Sequence, residues 1–144
     1  MTYFILLTLH LLSAFAFIGT VFFEVLFLRY IQHKLSNDIM QAVGKEVGGR
    51  AKQLMPFVLL TLFATGLGMA HFHMARFGIT GNGHFTLLFS LKIIIAISVL
   101  IHFISAMILR KKGLLKGKVS HHIHTSVFYH VVLIVILAKA MFYI

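Results

Sequence analysis

"FTLLFSLKIIIAISVLIHFISAMIL", residues 85–109, runs 25 residues with one full charge, Lys92. A helix of that length measures ~37 Å, more than the ~30 Å hydrocarbon core of a bilayer. Three further runs are as apolar: residues 3–28, 54–74 and 123–143. In hydrocarbon every backbone N–H and C=O must find its partner inside the segment, so an isolated span is a helix. The expectation is one all-α domain over residues 1–144, an integral membrane four-helix bundle.

Composition agrees. Charged residues make up 11% of the chain, against ~25% in soluble domains. There is no cysteine, which excludes thiolate ligands and disulfides. With no tryptophan, Tyr3, Tyr143 and the phenylalanines must supply any interfacial belt. The first run is too long for a signal-peptide core and lacks a basic leader, so it reads as a retained span.

The net charge of +10 sits in the connections. Residues 29–53 carry Arg29, Lys34, Lys45, Arg50 and Lys52, and residues 110–122 carry Arg110, Lys111, Lys112, Lys116 and Lys118. The middle connection offers only Arg76. Cationic loops stay in the cytoplasm, so both termini are expected outside, in a bacterial inner membrane. The charge then marks contact with anionic lipid, and nucleic acid is not a partner. Within 29–53, a short interfacial helix is expected from a Ser36/Asn37 cap to Gly48-Gly49. "GITGNGHF", residues 78–85, reads as a turn. Pro56 is expected in the first turns of the second span, where a missing N–H is tolerated.

Ionisable groups inside spans are costly and point to function. Here they are His10, Glu24, His71, His73, Lys92, His102, His130 and Lys139, with a histidine in every span. By depth His10 pairs with His71 in the outer half, and His102 with His130 in the inner half. His10, Phe17 and Glu24 are seven apart and share a face. Ser98, His102 and Ser105 form a second polar stripe, Ser126 and His130 a third. Thr61, Thr65 and Gly68 form a small-residue seam suited to close helix packing. Lys139 lies opposite His130 and is expected to snorkel.

Imidazoles on facing helices are ligands for haem iron. His10, His71, His102 and His130 are the candidate ligands for one or two haem b groups, and Lys92 the candidate partner for a propionate. Interhelical hydrogen bonding by the same histidines is the bland alternative. A rival set ends the second span in "GMAHFHMARF", residues 68–77. Met69, His71, His73 and Met74, with His84 beyond, are soft donors suited to copper. They divide over adjacent helix faces, and His71 is expected to point inward. His121, His122 and His124 in "SHHIHTS" resemble a metal tract, but in a basic loop without an acidic or thiol partner headgroup contact is the favoured reading. Glu24 is either a proton relay or the partner of a loop cation.

"LHLLSAFAFIGTVFFEVLFLRY", "AKQLMPFVLLTLFATGLGM" and "LFSLKIIIAISVLIHF" resemble, in that order, the superfamily of HemJ-type protoporphyrinogen oxidases and copper-resistance D (CopD) domains. The resemblance rests on His10 with Gly19, Pro56 with Gly66, and Lys92 with His102. It implies haem b at His10. The differences are Glu24 near an expected arginine, Ala106–Ile108 in place of Gly-Arg, and "VFYHVV" in place of an Asn-Glu-Pro opening. The leading expectation is a haem b membrane redox protein, by electron transfer or porphyrinogen oxidation. Quinone, porphyrinogen or another redox protein is the expected partner, and a homo-oligomer is compatible. The alternative is CopD-like copper transport or homeostasis.

Overall fold

The computed structural model describes residues 1–77 and 83–143 and is helical almost throughout. It divides into two compact units, Met1–Gly78 and Ile79–Ile144. Four of its helices are long and apolar enough to cross a membrane, at Thr2–Gln32, Asn37–Met74, Gly83–Lys111 and Gly117–Ala140.

In the first unit α1 covers Thr2–Phe22. It continues through a π-helical segment, Phe23–Leu28, into α2, Arg29–Gln32. The π turn is closed by the Arg29 N–H donating to the Glu24 carbonyl. Phe23 and Phe27 stack along it, ring centres 6.0 Å apart. No periodicity argument finds this turn, because one extra residue in one helical turn leaves no compositional trace.

Two corrections concern residues 29–53. The chain stays helical to Gln32, and α3 then runs unbroken from Asn37 to Phe77. The short helix expected to stop at Gly48-Gly49 therefore passes straight through that pair. A glycine ends a helix by adopting positive φ, and among the described residues only Gly113 and Gly117 do so. Carrying two glycines costs about 2 kcal/mol, whereas a break would strip partners from up to eight backbone groups near the membrane. Continuity wins. At 41 residues, α3 is roughly 61 Å long, twice the hydrocarbon thickness. Pro56 consequently lies in the helix interior, not in its first turns, and leaves the Lys52 carbonyl without its usual donor.

α1 packs against α3. Phe17 and Val21 of α1 and Leu59 and Thr65 of α3 are buried between them. The other faces expose Phe15, Leu60 and Leu67, a surface that lipid solvates without cost.

In the second unit α4, Gly83–Lys111, packs against α5, Gly117–Ala140. Ile95, Val99, Val127, Val131 and Leu137 are buried. The expected connection over 110–122 contracts to a tight turn. The Leu114 N–H donates to the Leu109 carbonyl at 2.8 Å and the Gly113 N–H to that of Arg110 at 3.1 Å. With Gly113 at φ +68°, this pair of bonds is the Schellman stop. "SHHIHTS" accordingly lies in the first turns of α5 and not in a loop. His121 and His122 are exposed there and His124 half-buried. In the expected "GITGNGHF" turn, residues 78–82 lie outside the described residues, and Gly83 opens α4.

Candidate functional site: two intramembrane histidine networks

Four threonine hydroxyls inside the spans fold back on their own helices. Thr8, Thr20, Thr61 and Thr125 each donate to the carbonyl four residues earlier, at 2.7–2.9 Å, which hides a polar group from hydrocarbon. His10, His102 and His130 reach across to a second helix.

His10 lies on α1 against α3. Its Nδ1 is 3.0 Å from the Leu62 carbonyl and 3.2 Å from Thr65 Oγ1. A carbonyl only accepts, so Nδ1 carries the ring proton and Nε2 the lone pair. The buried Thr65 hydroxyl donates to the Thr61 carbonyl at 2.6 Å, leaving its oxygen to accept from the imidazole. Gly66 makes room. A Cβ there would stand 3.2 Å from His10 Cε1, and one at Gly68 3.1 Å from Leu6 Cδ1. Of the expected seam, Thr65 and Gly68 meet α1 as foreseen, and Gly66 is the member that spacing alone omits. Phe17, seven residues on, is buried on the same stripe, and Glu24 beyond it is half-buried.

The register places His10 at Thr65, six residues and about 9 Å along α3 from His71. His71 is exposed, with Phe72 at its ring edge. His73 is half-buried, as is Met69, whereas Met74 is exposed. Within this hairpin His73 is therefore the more enclosed of the two histidines. The signal was present: Gly66, Met69 and His73 are spaced three and four. His84, exposed at the start of α4, belongs to the second unit.

The second network joins α4 to α5 reciprocally. His102 Nδ1 donates to the Ser98 carbonyl and His130 Nδ1 to the Ser126 carbonyl, both at 2.7 Å. Both imidazoles thus carry their proton on Nδ1. Ser126 Oγ donates to His102 Nε2 at 3.0 Å, and Ser98 Oγ to His130 Nε2 at 3.1 Å. Two Ser-x-x-x-His pairs on antiparallel helices interlock about an approximate two-fold axis. The stripes read from spacing are brought together, and the ring centres of His102 and His130 are 5.2 Å apart.

Lys92 is half-buried on α4, ten residues and about 15 Å before His102. Lys139 is exposed with Nζ 4.8 Å above the Tyr143 ring, as expected for a snorkelling residue at a span end. Among the described residues no three His, Cys, Asp or Glu side chains converge as a metal site. No buried side-chain nitrogen or oxygen among them lacks a hydrogen-bond partner.

The two networks differ in their fit to haem. A metal–nitrogen bond of about 2.1 Å, with the ring centre about 1.1 Å beyond it, puts two trans-axial imidazoles about 6.4 Å apart. His102 and His130 are closer than that and are hydrogen-bonded directly across the helix contact, which leaves no slot for a porphyrin between them. His10 has its ring orientation set by a main-chain acceptor, as a metal-ligating histidine commonly does. Comparison with family models, with curated proteins and with solved structures gives no match.

Proposed function

We propose that this chain is a multi-pass inner-membrane redox protein that holds haem b through His10, with both termini outside. The reading is supported above all by one observation: the His10 ring proton is committed to the Leu62 carbonyl and Thr65 oxygen. The carbonyl contact fixes the tautomer, so Nε2 is the ligand nitrogen, and raises its basicity. When bound, haem supplies one-electron chemistry, with a potential tuned by axial ligand and burial. Gly66 keeps the ring in place, and the apolar surroundings exclude water. The reducing or oxidising partner is proposed as a quinone, a porphyrinogen or another redox protein.

Copper is the second reading. It is supported by Met69 and His73, a thioether and an imidazole one turn apart on the half-buried side of α3. Purification of the full chain in detergent, with haem supplied during expression, separates the two. The haem reading expects about one haem b per chain by pyridine haemochrome assay. Copper without haem in the purified protein would favour the second reading, and neither metal would overturn both.

A further inference from the structure

We infer that the apolar face of residues 23–31, at the turn end of the α1–α3 hairpin, is the contact surface for a second copy of this chain. The pairing is independent of the haem proposed at His10, and its test reads no haem.

The face arises because two neighbouring helices stop being apolar at different levels. α1 and its continuation stay apolar to Ile31, with Glu24 and Arg29 the only charged residues. α3 turns apolar only from Leu54, after Lys45, Glu46, Arg50 and Lys52. His10 stands level with Leu62 and Thr65, so distances along both helices can be counted from there. Leu54 lies about 14 Å toward the turn from that level, Phe27 about 25 Å and Tyr30 about 30 Å. The segment of α3 with four charges in eight residues stays out of hydrocarbon. Phe27 and Tyr30 beside it therefore stand roughly 10 and 15 Å beyond the hydrocarbon edge, past a headgroup layer about 5–8 Å thick. Lipid tails do not reach that far.

Phe23, Leu26, Phe27, Tyr30 and Ile31 are all exposed on this face, Phe27 to 59% and Tyr30 to 63%. An aromatic side chain brings about 150–250 Å², so the patch offers on the order of 500 Å². A contiguous apolar area of that size, outside lipid, marks an interaction site. Two such faces together would bury about 1,000 Å², the lower bound for a specific interface.

Charge decides the occupant. The chain's only acidic residues, Glu24, Asp38 and Glu46, all lie around this end of the hairpin, among Arg29, Lys34, Lys45, Arg50 and Lys52. An anionic bilayer surface is met by cations alone, as in residues 110–118, which hold five cations and no acid. A two-fold contact between copies needs both signs, because each copy meets the same surface on its partner. Lys34, with Nζ 4.9 Å over the Tyr30 ring, puts a cation at the rim of the patch. Exposed Asp38 and Glu46 supply the carboxylates.

The test uses the full chain in mild detergent. Light scattering should count two chains per particle, and Phe27→Glu with Tyr30→Glu should reduce this to one while circular dichroism keeps its helix content. Because the chain has no cysteine, single introduced cysteines report the contact alone. In membranes, before extraction, Leu26→Cys, Phe27→Cys or Tyr30→Cys should give disulfide-linked dimers on mild oxidation. Leu60→Cys and Leu67→Cys, exposed on the apolar part of α3, should not. One chain per particle for the unaltered protein, dimers that survive the glutamate pair, or equal linking at Leu60 and Leu67 would overturn the contact.

Discussion

Replacing His10 by alanine is expected to remove haem from the protein altogether, with content falling at least ten-fold below the unaltered chain. The imidazole is the sole protein ligand proposed for haem. Alanine also removes the imidazole's bond to the Thr65 oxygen and Leu62 carbonyl. That loss is small by itself, since interhelical hydrogen bonds in membranes average about 0.6 kcal/mol. The helices should therefore still assemble, and a loss of haem is then a loss of the ligand. Thr65→Val is the graded companion. It keeps the shape of the buried side chain and the Leu62 acceptor but removes the oxygen, so haem affinity should fall by the 10- to 100-fold typical of an outer-sphere partner. Haem content by pyridine haemochrome in both variants checks the pair. Undiminished haem in His10→Ala would dismiss His10 as the ligand.

Neutralising Arg110, Lys111, Lys112, Lys116 and Lys118 together to glutamine is expected to release the α4–α5 turn to the outer face in a major fraction of molecules. These five residues supply half of the ten cations in the two basic connections, and lysine and arginine counts near span ends set orientation. The natural chain has no cysteine, so a cysteine introduced by Leu114→Cys reports alone. Leu114 is exposed in the turn. In intact cells an impermeant maleimide should leave that site unlabelled when the cations are present and label it when they are gone. Labelling with the cations in place would put the termini inside.

Span number and helix class were legible because they follow from apolar run length, and the four runs are unmistakable. Helix ends were less so. Gly48-Gly49 has the composition of a stop, but a stop also needs a backbone conformation that neither adopts. At Gly113 the reverse holds, since one glycine after Lys112 ends α4 through two main-chain bonds. The polar stripes of α4 and α5 were legible from Ser-x-x-x-His spacing, and their interlock followed once the turn shortened. The level of His10 was not. Counting from apparent span ends misjudged α3, whose apolar part begins deep inside a longer helix. Residue depth then shifts by as much as the helix end does.

Central to this account is where the intramembrane histidines keep their protons. Nitrogen-15 NMR of histidine-labelled, metal-free protein reads this directly, because protonated and bare ring nitrogens resonate far apart. Assigned by loss of each signal in H10A, H102A and H130A, all three residues should show a protonated Nδ1 and a bare Nε2. A proton on Nε2 of His10, or of both His102 and His130, would contradict the hydrogen bonds described, and at His10 it would remove the ligand nitrogen proposed for haem.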